Sequence, residues 1–381
     1  MKILHISNYF APHIGGIEKT AEDITDALSE HEQALICFNH EKGTVREKRN
    51  GVKIVRVGCF AKISSQSLSL TYGRALKRLF CEFEPDEIVF HFPNPFAAHY
   101  LLKCLKIRPW CKLTVWYHLD ITKQKILGKF FKGQTKRLLA RADRIIATSP
   151  NYADSSIYLS ANSDRVTVLP SCINEERLAP NEDELAAAEE IRKSYGGDTI
   201  CFSFGRHVGY KGYEYLIDAA EKLNGNLRVL LGGSGPLTEK LKKYAAEKGN
   251  RVEFLGKLSE SQLKAYLCAC NIFCFPSVGR NEAFGLALAE AMYFGKPAVT
   301  FTIPGSGVNY VSVNGETGIE VANRDSAAFA EAVNTLASDD GSRKKYGEAA
   351  KDRVERLFTK KKFSEKVRRM FAADEEEMSC V

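Results

Sequence analysis

Short apolar runs alternate with amphipathic stretches along this chain, and the whole alternation occurs twice. In the amphipathic stretches apolar residues recur at helical spacing, whereas the short runs are apolar almost throughout, as in parallel strands that are buried on both faces. Strands joined by helices in this way predict parallel sheets with helices on both faces.

The first series is predicted to contain strands at Ile3–Ser7, Ala34–Phe38, Lys53–Val57, Glu87–Phe92, Lys112–Tyr117, Arg144–Thr148 and Val166–Leu169, and helices at Gly16–Glu30, Leu70–Phe83, Pro95–Lys106 and Lys129–Ala142. The second is predicted to contain strands at Thr199–Phe204, Leu227–Leu231, Val252–Leu255, Ile272–Pro276, Ala298–Phe301 and Gly318–Val321, and helices at Glu182–Tyr195, Gly212–Lys222, Gly235–Glu247, Ser259–Ala269, Gly285–Phe294 and Ser326–Ala337.

The predicted fold class is α/β, with two doubly wound, Rossmann-like parallel-sheet domains. A chain of 381 residues is long enough for both, at roughly 150 residues per domain. We place the N-terminal domain at residues 1–172 and the C-terminal domain at 173–358. Residues 359–381 are expected to form a basic amphipathic helix that packs back on the first domain, and then a frayed acidic tail. Ligands of open α/β sheets bind beyond the carboxyl ends of the strands, so we expect the site in a cleft between the domains.

The net charge of +7 is distributed unevenly. Residues 1–170 hold 25 Lys and Arg against 16 Asp and Glu, whereas the remainder holds 29 against 31. The excess peaks between residues 99 and 150, where 12 basic residues face only Asp120 and Asp143. A solvated basic face and a surface that attracts an anionic membrane or a phosphate-bearing acceptor both fit this pattern. No nucleic-acid-binding motif accompanies the charge, so we expect no nucleic-acid partner.

The N-terminal residues and the cysteines indicate a cytoplasmic protein. The chain starts with a strand-length apolar run instead of a secretory signal, and no apolar stretch is long enough to span a membrane. Of the 11 cysteines, Cys37, Cys201 and Cys274 lie in apolar runs, where cysteine behaves as a small core residue. Cys268 and Cys270, near Cys274, lack a nearby histidine and paired spacing. We therefore expect neither a metal site nor disulfides.

A glycine pair, Gly15-Gly16, lies between the first predicted strand and the first predicted helix. Two glycines there let backbone amides approach an anion at the positive end of the helix, although a tight strand-to-helix turn would use the same residues. The segment is not G-x-G-x-x-G, so nothing indicates a nicotinamide cofactor.

Two loops of the second series carry residues suited to a phosphate. Gly205-Arg206 ends the strand Thr199–Phe204, and Lys211-Gly212 lies five residues further on, at the start of a helix. An arginine and a lysine in these positions can hold a diphosphate, or they can be ordinary exposed loop charges. The glycines of the segment 232–236 predict either a sharp turn or a close backbone approach to a nucleotide.

The most informative segment runs from Asn281 to Met292 and contains Glu282 and Glu290. We predict Glu282 on a loop after a strand, followed by a helix that begins near Phe284 and whose first amides can bind a phosphate. Glu290 would lie on an otherwise apolar face, where burial of a carboxylate is costly unless it has a partner such as sugar hydroxyls. A surface helix with a capping glutamate explains Glu282 readily but Glu290 poorly.

With these residues the chain resembles glycosyltransferase family 4, whose members have the GT-B architecture of two facing domains around a central cleft. Glu282 and Glu290 have the E-x7-E spacing of retaining GT-B enzymes, and the resemblance extends from residue 3 to about residue 370, with no signature between Lys42 and Ser69. The other matching segments are, in order, Gly15-Gly16, Trp116-Tyr117-His118-Leu119-Asp120-Ile121, Gly205-Arg206 with Lys211-Gly212, and Gly235-Pro236.

The resemblance implies that the second domain binds the donor, a nucleotide-diphosphate sugar. Arg206 and Lys211 would act in catalysis by neutralising the diphosphate and stabilising the departing nucleotide. Gly15 and Gly16 would offer the backbone of the first domain to the same phosphates. Further donor-binding residues would be those at the start of the predicted helix, namely Ala283, Phe284, Gly285 and Leu286.

The resemblance also implies roles for four polar side chains. Glu282 would bind hydroxyls of the transferred sugar as a catalytic residue, and Glu290 would bind the ribose. His118 would contact the sugar, and Asp120 would orient the acceptor or His118 in catalysis. A histidine at the end of a strand can equally be structural, but its spacing to Asp120 favours a role in function.

The implied reaction is transfer of a hexose with retention of configuration, without a metal or other cofactor. Fixed cations and helix amides can stabilise a phosphate leaving group, and no D-x-D triplet occurs at a strand end. The resemblance favours bacterial enzymes of lipopolysaccharide or exopolysaccharide synthesis, mannosyltransferases above all. GDP-mannose is therefore the first candidate donor, with UDP-glucose, UDP-galactose and UDP-N-acetylglucosamine as alternatives. The acceptor would be a saccharide, lipid-linked at the inner leaflet, with which the protein would associate peripherally.

Two other classes share parts of this pattern. A nucleotide-sugar epimerase of the same architecture would not need Glu282 and Glu290 in this arrangement. A non-catalytic sugar-nucleotide binder would not need the full set of charged residues, and an assay of donor hydrolysis separates it from an enzyme.

Overall fold

The computed structural model describes residues 1–13, 15–63, 66–120, 127–249 and 251–379. The chain divides into two compact units. The first comprises residues 1–170 and the C-terminal segment from residue 361, and the second comprises residues 171–360. Each unit has a parallel sheet of its own, as the repeated alternation predicts.

The first unit is built on a sheet in which neighbouring strands are parallel except for one antiparallel pair at an edge. Its strands are β1 (Lys2–Ile6), β2 (Glu32–Phe38), β3 (Val45–Arg49), β4 (Val52–Val57), β5 (Ala61–Ile63), β6 (Gln66–Leu68), β7 (Glu87–Phe92), β8 (Lys112–Tyr117), β9 (Arg144–Ala147) and β10 (Val166–Val168). Eight of them form the sheet, in the order β10-β9-β8-β7-β1-β2-β4-β3, and β5 and β6 form a separate hairpin.

The helices of the first unit connect these strands. Local signals set some of their ends: Asn94 caps one helix by accepting from the N–H of Ala97 at 3.1 Å, with Pro95 as its first residue. They are α1 (Gly16–Ala27), α2 (Tyr72–Phe83), α3 (Pro95–Cys104), α4 (Leu127–Arg141) and α5 (Pro150–Ser155), with a 3-10 segment at Ser160–Arg165.

Three short strands, β3, β5 and β6, were not predicted. All five residues of β3 are exposed, and four of them are charged, because β3 is the antiparallel edge of the sheet. Charged side chains protect such an edge from pairing with other chains. A strand that buries nothing has no apolar pattern, which is why the periodicity did not reveal it.

The second unit has a six-stranded sheet in which every neighbouring pair is parallel. Its strands are β11 (Thr199–Phe204), β12 (Leu227–Gly232), β13 (Val252–Gly256), β14 (Ile272–Phe275), β15 (Ala298–Phe301) and β16 (Gly318–Val321), in the order β13-β12-β11-β14-β15-β16. Its helices are α6 (Glu175–Leu178), α7 (Glu182–Ser194), α8 (Tyr213–Ala220), α9 (Thr238–Glu247), α10 (Glu260–Ala269), α11 (Leu286–Tyr293), α12 (Val308–Val311), α13 (Ser326–Ser338) and α14 (Asp340–Leu357), with a 3-10 turn at Gly209–Lys211.

The last helix, α15 (Lys360–Ser379), belongs to the first unit. It buries Phe363, Val367 and Phe371, which lie on one face at a spacing of four residues, and the Phe363 ring lies 5.9 Å from that of Trp116. The expectation of a frayed acidic tail is wrong, because the acidic residues 374–377 continue this helix.

The described residues give two further findings. Their cysteines are free thiols, and Cys37, Cys201 and Cys274 are fully buried, as core cysteines should be. None of their helices is both long enough and apolar enough to cross a bilayer.

Candidate active site

A nearly buried ion pair joins Lys211 to Glu282. Lys211 Nζ lies 2.5 Å from Glu282 Oε2, and each side chain is 11% exposed. Lys211 ends the 3-10 turn after β11, and Glu282 lies on the loop after β14, which pairs with β11 in the sheet. Carboxyl ends of adjacent parallel strands lie at one edge of a sheet, so the two predicted residues meet there.

Neighbouring groups hold the Glu282 loop in place. Ser277 Oγ donates to Glu282 Oε2 at 3.1 Å, and Ser306 Oγ donates to the backbone carbonyl of Glu282. The N–H of Gly307 donates to the carbonyl of Ala283 at 3.1 Å, so close that a Cβ at Gly307 would lie 2.2 Å from that oxygen. Sequence reasoning missed both serines. Ser306 lies between two glycines shortly after a predicted strand, and this pattern could have identified it.

Two aromatic rings lie near the Lys211 ammonium. Its Nζ lies 4.9 Å from the ring centroid of Phe275 and 5.7 Å from that of Tyr210. Burial, followed by the negative charge of Glu282, raises the pKa of Tyr210 to about 12 and raises that of Tyr213 further. Both phenols are therefore neutral at physiological pH and can donate hydrogen bonds.

Arg206 and the start of α11 lie at the same edge of the sheet. Arg206 follows β11, is exposed, and forms no ion pair with a residue that the structure describes. Gly285 precedes α11 with φ of +97°, a left-handed conformation that favours glycine. The helix begins at Leu286, within two residues of the predicted start. The N–H of Leu288 donates to the carbonyl of Gly285 at 3.0 Å, which leaves the two N–H groups before it without an acceptor within the helix. The side chain of Phe284 is core, 5.3 Å from the Phe358 ring, which leaves its backbone for the predicted role.

Glu290 has a protein partner that the sequence did not reveal. Its side chain is 17% exposed, and Oε1 lies 3.5 Å from Nη2 of Arg177. Nη1 of the same arginine lies 3.6 Å from Oε2 of Glu260. A carboxylate in this position needs a partner, and Arg177 supplies one. The prediction that sugar hydroxyls bind Glu290 is therefore one of two explanations for the residue.

The glycines of the segment 232–236 have a structural explanation. A Cβ at Gly233 would lie 2.0 Å from the carbonyl oxygen of Gly205, and one at Gly235 would lie 2.5 Å from that of His207. The N–H of His207 donates to the carbonyl of Ser234 at 3.1 Å. These glycines let the loops after β11 and β12 pack backbone to backbone, which requires no nucleotide.

In the first unit, Gly15 and Gly16 lie where α1 begins. Gly16 is the first residue of the helix, and Gly15 precedes it in an extended conformation. The side chain of Glu18 bends back toward them, so that a Cβ at Gly15 would lie 2.1 Å from Glu18 Oε2. Burial raises the pKa of Glu18. A carboxylate of the protein itself thus lies at the helix start where the sequence predicts a phosphate.

His118, the residue after β8, pairs with a second histidine. Its Nε2 lies 3.1 Å from Nδ1 of His91, near the end of the neighbouring strand β7, and the rings stack with centroids 5.4 Å apart. Burial lowers the pKa of His118 to about 3 and that of His91 well below its ordinary value. Both are therefore neutral, and one must donate to the other, so His91 fixes the tautomer and the ring orientation of His118. Sequence reasoning missed His91, although it too lies at the carboxyl end of a predicted strand.

Asp120 is held by hydroxyl groups of the first unit. Tyr117 Oη donates to its Oδ1 at 2.7 Å, and Ser156 Oγ donates to the same oxygen at 2.8 Å. Its own N–H donates to Tyr152 Oη at 2.6 Å. These bonds fix Asp120 and the segment before it. The next residue of the predicted motif, Ile121, lies outside the described residues.

Comparison with known proteins decides the family. The model of a family described as Glycosyltransferase Family 4 matches residues 14–177, and one described as Glycosyl transferases group 1 matches residues 186–353. O-antigen chain mannosyltransferase C of Escherichia coli is 30% identical over 363 residues, which cover 94% of this chain and 95% of that protein. The chain belongs to glycosyltransferase family 4.

A second relative of this glycosyltransferase, D-rhamnosyltransferase WbpZ of Pseudomonas aeruginosa, is 29% identical over 366 residues, covering 94% of this chain and 92% of that protein. Solved structures agree in fold. Sucrose-phosphate synthase from Thermosynechococcus elongatus has a TM-score of 0.80 at 20% identity, covering 98% of this chain and 99% of that one. HepE of Anabaena, solved with UDP and glucose, has a TM-score of 0.76 at 18% identity, with the same coverage. The predicted family and the predicted GT-B fold are confirmed.

Proposed function

We propose that this glycosyltransferase moves mannose from GDP-mannose to a lipid-linked saccharide, with retention of configuration and without a metal, in the synthesis of a bacterial lipopolysaccharide or exopolysaccharide. The relatives support the sugar, since one is named an O-antigen chain mannosyltransferase and the other a D-rhamnosyltransferase. The structures of HepE with UDP and with UDP-glucose support a nucleotide-diphosphate donor. They also keep UDP-glucose, UDP-galactose and UDP-N-acetylglucosamine as alternative donors.

The observation that carries the proposal is the nearly buried ion pair of Lys211 and Glu282 at the strand edge where α11 begins. An ammonium has three donors, and Glu282 Oε2 occupies one of them, which leaves two for oxygens of a diphosphate. The first amides of α11 add the positive end of a helix, and exposed Arg206 adds a bidentate cation. This edge of the second unit therefore suits a diphosphate.

The same groups suit the reaction. As the bond between C1 of the sugar and the phosphate oxygen breaks, negative charge develops on the departing nucleotide, and fixed cations and amides stabilise it without a metal. The acceptor oxygen then forms its bond to C1 on the face that the nucleotide leaves, and its proton passes to the departing phosphate. Retention of configuration follows from attack on that face.

Glu282 would hold the transferred sugar. Its Oε2 is occupied by Lys211 and Ser277, so Oε1 is the oxygen that we assign to sugar hydroxyls. Glu290 would bind the ribose beside Arg177. In the first unit, the neutral imidazole of His118 would exchange a hydrogen bond with a sugar hydroxyl, with His91 behind it. Asp120 would orient the acceptor from the position that Tyr117 and Ser156 give it.

The donor is tested by thermal unfolding of the full chain with GDP-mannose, GDP, and each of the three UDP-sugars. A ligand that binds only the folded protein raises the melting temperature, by an amount that grows with its concentration relative to Kd. We expect GDP-mannose to give the largest rise. A larger rise with a UDP-sugar would make that sugar the donor and keep the proposed donor site, whereas no rise with any nucleotide sugar would reject the site.

The stereochemistry and the metal are tested in the transfer reaction itself. With an α-linked donor, NMR of the product should show an α linkage, and addition of a chelator should leave the rate unchanged. A β-linked product would reject retention, and loss of activity that Mg²⁺ or Mn²⁺ restores would reject a metal-free mechanism.

The acceptor side is tested by flotation with liposomes. The first 170 residues carry an excess of nine positive charges, which should draw the protein to anionic lipid but not to neutral phosphatidylcholine. Equal flotation with both kinds of liposome would remove the membrane part of the proposal and leave a soluble saccharide as the acceptor.

A further inference from the structure

Three rings of the first unit lie against one another beside the start of α1, and the function proposed above uses none of them. His40 stacks on Tyr9 with centroids 4.2 Å apart and planes 12° apart, and His13 lies 4.2 Å from His40 and 4.8 Å from Tyr9. Tyr9 is buried, and its hydroxyl lies 2.5 Å from Ser67 Oγ, whereas both histidines are exposed. The tyrosine is thus the fixed base of a surface site, and the imidazoles are its accessible part.

A cation lies on the same site. Lys62 Nζ is 4.9 Å from the ring centroid of Tyr9, its side chain is exposed, and no carboxylate of the described residues forms an ion pair with it. The other cation nearby, Arg56, is occupied, because it donates to the backbone carbonyls of Phe10 and Ala11. Arg56 therefore holds the loop that carries the site, and Lys62 is the cation that a ligand can reach.

The site already interacts with an anion of the protein. Glu18, whose carboxylate bends back to the start of α1, interacts electrostatically with Lys62 and, when the imidazole is protonated, with His40. A helix start, a lysine and two imidazoles are all groups that favour a negative charge. In the free protein, Glu18 supplies part of that charge.

We propose that Tyr9, His13, His40 and Lys62 form a binding site for a phosphate group of the acceptor. A phosphate oxygen is an acceptor only, and the imidazole N–H groups and the Lys62 ammonium are the accessible donors here. Tyr9 positions the His40 ring by stacking and the Lys62 ammonium by a cation–π contact. The role as an acceptor site rests on the proposed function, whereas the binding of a phosphate does not.

Binding at this site should take up protons. Partial burial lowers the pKa of both imidazoles. The charge of Lys62 lowers the pKa of His13 further. His13, Lys62 and Arg56 lower the pKa of His40 further, against a smaller opposite effect of Glu18. Both imidazoles are therefore neutral in the free protein, and an anion between them favours their cationic forms. Protonation of Glu18 would remove a competing charge. All these changes make the affinity for phosphate rise as the pH falls.

The test measures binding of inorganic pyrophosphate to the full chain by calorimetry, with GDP at saturation to occupy the donor site. Lys62→Met and His40→Gln should each weaken binding by about tenfold, and Glu18→Gln should strengthen it. Lys42→Met and His99→Gln are matched controls at exposed positions outside the cluster and should leave binding unchanged. Equal affinity in the wild type, Lys62→Met and His40→Gln would overturn the proposal. Failure of GDP to bind would count against the donor site alone.

Two further measurements identify the source of the phosphate and exclude a purely structural role. Wild-type affinity should rise from mildly alkaline to mildly acidic pH, and His13→Gln with His40→Gln should remove most of that rise and leave the part that Glu18 contributes. A pH profile that the double variant leaves intact would overturn the proposal. Farnesyl diphosphate and glucose 6-phosphate then serve as probes of a lipid diphosphate and a sugar phosphate. Tighter binding of the first assigns the site to a lipid-linked acceptor, and tighter binding of the second assigns it to a free sugar phosphate.

Discussion

The two units place their polar side chains alike and charge them differently. Both use the carboxyl ends of neighbouring parallel strands: β11 and β14 in the second unit, β7 and β8 in the first. The second unit keeps a full ion pair there, Lys211 with Glu282, and the first keeps two imidazoles that burial holds neutral. The comparison teaches that one edge suits a ligand of high charge, and the other suits a ligand recognised by uncharged hydrogen bonds.

The largest expected effect comes from removal of the charged pair. Lys211→Ala and Glu282→Ala should each lower kcat/KM by about 10³, the loss found when a preorganised electrostatic group is removed. Each also leaves the other charge nearly buried without its partner, so the melting temperature should fall as well. Steady-state kinetics with GDP-mannose and thermal unfolding measure the two effects.

The control for this prediction is Lys240→Ala, at an exposed position on α9 of the same unit. It should change neither quantity. The double variant of Lys211 and Glu282 should be destabilised by less than the sum of the single variants, because no unpaired charge remains. Near-normal turnover in either single variant would contradict the site assignment.

The buried neutral histidines of the first unit should make the protein less stable in acid. A third buried histidine of the first unit, His5, lies within β1. Burial lowers its pKa to about 4 and that of His118 to about 3, from an ordinary value of 6.5. Below pH 6.5 the unfolded chain binds protons that the folded chain refuses, so stability should fall with pH between about 6.5 and 3, by roughly 1.4 kcal/mol per pH unit for each histidine.

Urea unfolding as a function of pH measures that slope. His5→Gln should make it shallower by about the share of one histidine, since the proton is then absent from both states. The same slope in the variant and in the wild type would mean that His5 is not held neutral in the fold.

A smaller effect is expected from the pair of histidines. His91→Phe removes the partner of His118 and should lower kcat/KM by roughly tenfold. His91→Asn keeps a polar atom near the position of Nδ1 and should retain most of the activity. We expect the loss in kcat more than in KM, because in the proposed function His118 contacts the sugar and His91 acts through His118. Equal losses in the two variants would indicate a packing role instead.

Substitution can show whether the glycines of the segment 232–236 serve backbone packing or nucleotide binding. Gly233 has φ of +109° and lies against Gly205, whereas Gly249 has φ of +79° and nothing within 4 Å of an added Cβ. Gly233→Ala and Gly249→Ala share the strain of a positive φ, about 1 kcal/mol. The excess destabilisation of Gly233→Ala should be about 1–3 kcal/mol. Chemical denaturation gives both values, and equal values would mean that the loops do not depend on this close approach.

The sequence predicted most of the parallel strands closely, since a strand buried on both faces must be mainly apolar. Glu87–Phe92 and Ala298–Phe301 have the predicted bounds. It predicted Lys211 and Glu282 for the same physical reason that joins them, their place after neighbouring strands. It did not predict Arg177, because a partner contributed by a distant segment leaves no local pattern. His91 was also not predicted, although it lies at the carboxyl end of a predicted strand. The predicted start of α11, at Phe284 or Gly285, is one or two residues early, because the left-handed Gly285 still belongs to the loop.

The smallest effect is expected at the contact of Arg177 with Glu290, which is more exposed than the pair of Lys211 and Glu282. Arg177 is 44% exposed and 3.5 Å from Glu290, so solvent screens the contact, and Arg177→Ala should cost less than about 1 kcal/mol of stability. If Glu290 binds the ribose, the change removes one partner of its carboxylate, and KM for the donor should shift less than about threefold while kcat is unchanged. Glu290→Gln, by contrast, should raise KM clearly, because a neutral amide accepts hydroxyl donors less strongly than a carboxylate. A KM that responds to Arg177→Ala but not to Glu290→Gln would make this contact a structural one. The charged part of the donor site would then be Arg206, Lys211 and Glu282.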